Sequence, residues 1–390
     1  MPDYSSKFRS LETNVVHAGA PHPRVEGAVV TPVFQSANYE MADEAAYDQV
    51  RYLRLCNSPG NLTLHARLAA IESGEAALAT ASGMAAISTV ILAFVGSGEH
   101  LLAQKTLYGG TQTLLDHEGA RLDIAHTAID LADPDRPAAW ERALRPGTRM
   151  MLLESISNPL MEVGDLEAAV EFARAHDLVT LIDSTFASPV NFRPREIGVD
   201  LVVHSATKYL NGHSDIVAGA VIGSAAHIDR VRHLLIHLGG ALDAHACFLF
   251  ERGLKTLVLR VERQNATAMR LARFLAGRPE VRRVNYPGLE DDPSHPFAAK
   301  LFSGFGGMLS FYADSAERAE RFLASVRIPL HAASLGGVET LVVRPSRSSH
   351  LGLDEASRQR LGITDDLVRV SVGIESADEL IEDFGRALAG

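Results

Sequence analysis

The chain has 390 residues, 46% of them hydrophobic and 22% charged, with a formal net charge of -11. So much apolar side chain excludes a disordered tail or linker, and the length calls for roughly two domains rather than one compact unit. The acidic balance argues against a nucleic-acid partner, whose phosphates attract clustered Lys and Arg.

Residues 1–62, rich in Pro, Asn, Ser and Tyr with little periodicity, read as an extended arm of the kind that reaches onto a neighbouring subunit. From Leu64 the pattern changes: Leu64, Leu68 and Ile71 recur at helical spacing, and the apolar run 76–79 ends at Ser82 and Gly83. Helix, strand and turn follow in that order. Residues 84–95 are Ala-rich and apolar, which predicts a buried helix, and a break over 96–98 leads to a short strand around Leu101 and Leu102. Further strands are predicted over 150–153, 179–182 and 201–203, separated by helical stretches such as 166–175. Apolar strands alternating with helices argue for an α/β fold, with a mainly parallel sheet covered on both faces, over residues 63–252. Beyond Arg252, helical material over 253–275 leads through 281–286 and the Gly-rich 304–307 to a strand-like run over 308–312 and a final helix over 377–388, which predict a smaller α+β domain spanning 253–390.

In an open parallel sheet, ligands gather beyond the carboxyl ends of the strands, so the polar residues that follow apolar runs carry the chemistry. Three ends qualify. At Ser82-Gly83-Met84, glycine permits close backbone approach, and a helix start offers unpaired amides and a positive dipole end, which suit a phosphate. At Asp183 a carboxylate ends an apolar strand, where it is able to hold a protonated ring nitrogen, bind metal or cap a turn. At Ser205, Thr207 and Lys208, two hydroxyls precede a lysine that either faces the same crevice or reaches into solvent. Together these ends supply a phosphate cradle, a carboxylate and an amine. That set meets the needs of pyridoxal 5'-phosphate: the lysine forms a Schiff base with its aldehyde, and the carboxylate keeps the ring nitrogen protonated so that the ring accepts electrons. Desolvation would lower the proton affinity of that lysine.

The run His204-Ser205-Ala206-Thr207-Lys208-Tyr209-Leu210-Asn211-Gly212-His213-Ser214-Asp215 closely resembles the cofactor-lysine motif of the Cys/Met-metabolism pyridoxal-phosphate enzymes, the cystathionine gamma-synthase and gamma-lyase family. Supporting matches extend over nearly the whole chain: Leu107-Tyr108-Gly109-Gly110-Thr111, Glu154-Ser155-Ile156-Ser157-Asn158-Pro159, Ser334-Leu335-Gly336-Gly337 and Arg369-Val370-Ser371-Val372-Gly373-Ile374-Glu375. The resemblance implies the PLP-dependent transferase type I fold. It also implies that Lys208 joins the cofactor covalently, that Asp183 partners the ring nitrogen, and that Ser205, Thr207 and the amides of Gly83 and Met84 hold the phosphate. Tyr108 would stack on the ring and assist as acid or base, and Tyr52 and Arg54 would complete the phosphate site of a neighbouring subunit. Arg369 resembles the arginine that grips the substrate carboxylate, with Asn158 and Ser334 beside it. A cytoplasmic homotetramer with shared active sites, acting on a small amino acid, is the implied assembly.

The chain also departs from the family pattern. Asn57-Ser58-Pro59-Gly60-Asn61 carries what reads as one extra residue after the Tyr-x-Arg pair. Ala333 stands where the cystathionine-handling members have Glu, which favours a smaller or less polar substrate tail, and Gly110 stands where the methionine gamma-lyases have Cys. The run Pro345-Ser346-Arg347-Ser348-Ser349-His350 is also unusual, and Arg347 either touches substrate or faces solvent. The expected reaction is γ-elimination on a sulfur-containing amino acid, giving an α-keto acid and ammonia, with γ-replacement and β-elimination as alternatives.

Rival chemistries have weaker support. No Gly-x-Gly-x-x-Gly follows a predicted strand, no Gly-x-Ser-x-Gly occurs, and His233 and His237, one helical turn apart, lack an evident third metal ligand. Cys56 and Cys247 are in no paired spacing, so neither a disulfide framework nor a zinc knuckle is expected and a reducing compartment fits. Residues 1–19 do not resemble a secretory signal, and the longest apolar stretch, 85–95, is far short of the ~20 residues of a membrane span. A non-catalytic member of the fold would be expected to lack the lysine or the aspartate, and both are present.

Overall fold

Short apolar runs bounded by turn residues form most of the strands, as expected of a sheet buried on both faces. In the computed structural model, which describes residues 3–41, 43–348, 351 and 354–390, the first sheet contains β1 (Ala76–Thr80), β2 (His100–Gln104), β3 (Ala125–Ile129), β4 (Thr148–Glu154), β5 (Val179–Asp183), β6 (Leu201–Ser205) and β7 (Gly219–Gly223). Their spatial order is β1-β7-β6-β5-β4-β2-β3. The contiguous run from β6 through β3 is parallel, whereas β7 runs antiparallel to both of its neighbours. β1 therefore points the same way as β4, β5 and β6, and the carboxyl ends of these four strands lie along one edge. The fold is α/β, as expected.

Alternation along the strands fills a core on each face. Ile182 and Val202 belong to one buried cluster, while Leu181, Leu201 and Val203 belong to the other. Helices complete both layers, and side chains cap several of their starts. Ser82 accepts from the Ala85 amide at 3.0 Å ahead of helix Gly83–Phe94, and Asp165 accepts from Ala168 at 3.1 Å ahead of helix Leu166–Ala175.

The second sheet is built from β8 (Val281–Asn285), β9 (Met308–Ala313), β10 (Leu330–His331), β11 (Leu341–Val343) and β12 (Leu367–Ser371), in the order β10-β11-β12-β9-β8. Helix Leu257–Ala276 links the two sheets: Leu257, Val258 and Val261 pack in a core of the first, and Ala268, Leu271 and Leu275 in the core of the second. None of the helices among the described residues is long and apolar enough to cross a membrane.

Several elements differ from expectation. The helical stretch expected over 253–275 is two helices, Ala244–Leu254 and Leu257–Ala276. The arm holds a short helix, Leu11–His17, whose buried Val15 joins a core of the first sheet; just beyond it, the Ala18 carbonyl accepts from Arg67 Nε at 2.9 Å. Its seven residues show too little of a helical period to be read from sequence. The apparent extra residue near Ser58 is absorbed by a helix start: Ser58 caps helix Pro59–Ile71, and Pro59 occupies the first turn, where its missing N–H costs nothing.

Candidate active site

Strand direction brings the first three groups together. Ser82, Gly83 and Met84 follow β1, Asp183 ends β5, and Ser205 ends β6, all on the shared edge. They line one cavity of about 660 Å³, within the usual range for small-molecule sites. Lys208, Thr207, Tyr108, Asn158, Ser334 and Arg369 line it as well.

The corner beside Gly83 is built by close approach. A Cβ on Gly83 would lie 2.8 Å from Ser205 Cβ and 2.9 Å from Ser205 Cα, so only glycine lets the helix start close onto the end of β6. The amides of Gly83 and Met84, in the first turn of a 12-residue helix, have no acceptor within that helix. Thr207 Oγ1 accepts from the Ala218 amide at 3.0 Å, which sets the hydroxyl at the same end of the sheet.

Asp183 is held by Thr185, whose amide and hydroxyl donate to Oδ1 at 2.9 and 2.5 Å. Thr185 Oγ1 also accepts from the Ser205 amide at 2.8 Å and so ties the carboxylate to the hydroxyl corner. Burial raises the Asp183 carboxyl, and the Thr185 bonds oppose the rise by favouring the anion. The next strand carries a second carboxyl: Glu154 ends β4 and is the register partner of Asp183. Glu154 Oε1 accepts from the Tyr108 amide at 2.5 Å. Burial, and then the neighbouring Asp183 charge, push the Glu154 carboxyl well above the usual carboxylate range.

Lys208 Nζ donates to Ser334 Oγ at 2.7 Å. Burial, aided by the positive charge of Arg369, lowers its amine from 10.5 to about 8. Arg369, at the centre of β12, donates from Nη1 to Asn158 Oδ1 and from Nη2 to the Ser334 carbonyl, each at 3.0 Å. Its Nε is buried without a partner. Burial lowers this guanidinium to about 10, still a cation at neutral pH. Ser334, bonded to both cations, has φ of 87°, a region that side chains with a Cβ rarely enter.

The residues therefore fit a phosphorylated pyridine aldehyde. A cradle that one Cβ would fill suits the phosphate, the buried Asp183 carboxylate suits a ring nitrogen, and a lysine of lowered proton affinity suits the aldehyde. The orphaned Arg369 Nε adds an unused donor on the opposite wall.

Two predicted site residues stand apart. Tyr52 and Arg54 do not line this cavity. Both are exposed; Arg54 donates to the Ile236 carbonyl and to Tyr47 Oη, each at 2.7 Å. Ala333 lies in the cavity wall, whereas Arg347 is exposed and outside it, although the adjacent Ser348 lines it; Ser349 and His350 lie outside the described residues. His237 Nδ1 is bonded to the His233 carbonyl at 2.7 Å, and no group of three or more metal-ligating side chains occurs among the described residues. Sequence reasoning gave no role to Glu154 or Thr185, although Glu154 heads one of the matching motifs. The strand-end rule applied to 150–153 points directly to Glu154, and Thr185 follows Asp183 by two residues.

Comparison with known proteins agrees with this architecture. Residues 12–389 match the family described as Cys/Met metabolism PLP-dependent enzyme. The chain is 38% identical over 378 residues to cystathionine gamma-lyase of Bacillus subtilis (strain 168), covering 97% of this chain and 98% of the relative. It is 39% identical over 395 residues to L-methionine gamma-lyase of Pseudomonas putida, covering 98% of each. Among solved structures, cystathionine gamma synthase from Xanthomonas oryzae pv. oryzae, in complex with aminoacrylate and cysteine, superimposes with a TM-score of 0.93 at 34% identity, covering 98% of each chain. The chain thus belongs to the Cys/Met-metabolism PLP-dependent enzymes, a family of lyases and synthases that use pyridoxal phosphate.

Proposed function

We propose that the protein is a carbon–sulfur lyase that carries out γ-elimination on a sulfur-containing amino acid, releasing a thiol, an α-keto acid and ammonia with the uptake of one water. The observation that carries this reading is the gathering of Lys208, Asp183 and Arg369 in one cavity, with Ser334 bonded to both Lys208 and Arg369. Pyridoxal phosphate, when bound, supplies an aldehyde for the substrate amine and a ring able to store an electron pair.

The protein's own residues then have distinct tasks. Gly83, Met84, Ser205 and Thr207 hold the phosphate, and Asp183 keeps a proton on the ring nitrogen. Arg369 takes the substrate carboxylate between planar donors, with Asn158 and Ser334 fixing the plane. Lys208, largely neutral above pH 8, would remove first the α-proton and then a β-proton, so that the electron pair left at the β-carbon expels the γ-substituent. Tyr108 covers the ring and assists as acid or base.

Ala333 and the apolar Ile87, Val217 and Leu335 are part of the cavity lining, which supports a substrate with a small uncharged substituent. Gamma-replacement, in which a thiol captures the unsaturated species, is the second reading; the likeness to a gamma synthase favours keeping it. The exposed Tyr52 and Arg54, on an arm that also exposes Val29, Val30 and Val33, support an oligomer in which the arm of residues 1–62 completes a neighbour's phosphate site. A tetramer in the cytoplasm is the proposed form.

The test is to incubate the protein with cystathionine, methionine and acylated homoserines, with and without cysteine, and identify the products. Keto acid without any thiol acceptor is expected. Strict dependence on a thiol would replace the elimination reading with the synthase one.

A further inference from the structure

The sequence of the cofactor-lysine segment is compact, yet nothing within it explains what holds its outer side. Lys208 N donates to the Ser205 carbonyl at 3.0 Å, Asn211 N to Ala206 at 3.0 Å, and Gly212 N to Lys208 at 2.7 Å. These bonds close a tight turn from the inside. The carbonyls of Tyr209 and Leu210, immediately after the lysine, need donors from elsewhere, because a buried unpaired carbonyl is costly.

They are met by Arg260, from the first turns of helix Leu257–Ala276. Its Nη1 donates to the Tyr209 carbonyl at 2.8 Å, and its Nη2 donates to the Gly253 carbonyl at 2.9 Å and the Leu210 carbonyl at 3.4 Å. Nε donates to Thr256 Oγ1 at 3.1 Å. All four acceptors are uncharged, and the residue is 4% exposed. A buried cation without a carboxylate is destabilising unless its donors are fully used in a fixed geometry. The planar guanidinium, with five N–H groups in a rigid fork, is suited to three carbonyls pointing from different directions.

The turn is also shaped around this side chain. Gly212 has φ of 73°, and a Cβ there would lie 1.9 Å from Arg260 Nη1. Gly212 thus leaves the volume that the guanidinium fills.

We infer that Arg260 is a positioning residue for Lys208: by clasping the carbonyls of Tyr209 and Leu210, it fixes the turn that aims the lysine amine into the cavity at Ser334. The inference rests on the reading of Lys208 as the cofactor lysine. A lysine at position 260 would keep the charge but lose the fork, so the turn would loosen while a cation remained behind it.

The experiment uses the full-length protein with pyridoxal phosphate and compares wild type, Arg260→Lys, Gly212→Ala and Lys208→Ala. Two quantities are read: the dissociation constant for pyridoxal phosphate from absorbance titration, and the pH midpoint of the visible band that borohydride bleaches. For Arg260→Lys, cofactor binding about tenfold weaker and a midpoint displaced by about half a unit are expected, the scale typical of a lost supporting shell. Gly212→Ala presses on the same contact from the other side, so it is expected to move both quantities the same way, and it decides the matter if Arg260→Lys does not fold. Unchanged affinity and midpoint, whatever happens to the melting temperature, would reduce Arg260 to scaffold and overturn the inference. A wild-type protein with no visible band, or a band that survives in Lys208→Ala, would instead overturn the assignment of Lys208, and this inference with it.

Discussion

One wall of the cavity, with Gly83, Asp183, Ser205 and Lys208, comes from the ends of strands in a single sheet, whereas the facing wall, with Asn158, Ser334 and Arg369, joins a strand of the second sheet to two loops. The first wall is set by strand direction and local turn chemistry: β1, β5 and β6 point the same way, and Thr185 binds Asp183 and Ser205 together. The second wall depends on how the two sheets sit together, and its geometry is concentrated in Ser334, which bonds to Lys208 and Arg369 from a strained backbone. Cofactor binding and substrate binding should therefore be separable by mutation.

The sharpest break is Lys208→Ala. Turnover, followed as keto acid release, is expected to fall by at least about a thousandfold, because nucleophile and proton carrier are lost together. Next, Arg369→Lys removes the planar fork and is expected to lower kcat/KM by about 10- to 100-fold while leaving the visible band and cofactor affinity in place. An equal loss of cofactor affinity would show that the two walls are not independent. Gly83→Ala probes the opposite wall: the added methyl meets the Ser205 backbone, and such overpacking is expected to weaken cofactor binding by about tenfold, measured by absorbance titration.

The smallest expected effect is on stability. Burial lowers the Lys208 amine from its ordinary 10.5 to about 8 in the folded chain. Between those two pH values the unfolded chain holds a proton that the folded chain has released, so stability of the cofactor-free protein from this group rises with pH. Below that window the buried cation is destabilising. Lys208→Met is expected to stabilise the cofactor-free chain near pH 7 by about 1–3 kcal/mol and to remove the slope, as read by urea unfolding at the two pH values.

Most of the first wall was legible in the sequence, because its parts are contiguous. The cofactor-lysine run, the carboxylate at Asp183 and the Ser82-Gly83 turn each follow an apolar run, and helix Leu166–Ala175 carries its own cap and period. The missed strands lack such signals. β7 is five residues bounded by glycines, and nothing in it records that it runs against its neighbours. β3 is only partly buried, with His126 and Thr127 interrupting its apolar pattern. Arg260 was equally invisible, since a basic residue in a long amphipathic helix ordinarily faces solvent.

The sequence by itself determined the alternation of strands and helices, the placement of polar groups after strand ends, and the chemistry those groups can support. These are properties of neighbouring residues, set by period, capping and turn preference. Only the tertiary structure decided that Glu154 lies beside Asp183, that Arg260 clasps the turn behind Lys208, and that Tyr52 and Arg54 stay outside the cavity of their own chain. Each of those depends on register and packing between segments distant in the chain, where burial and the charge of a spatial neighbour, rather than sequence position, fix what a side chain does.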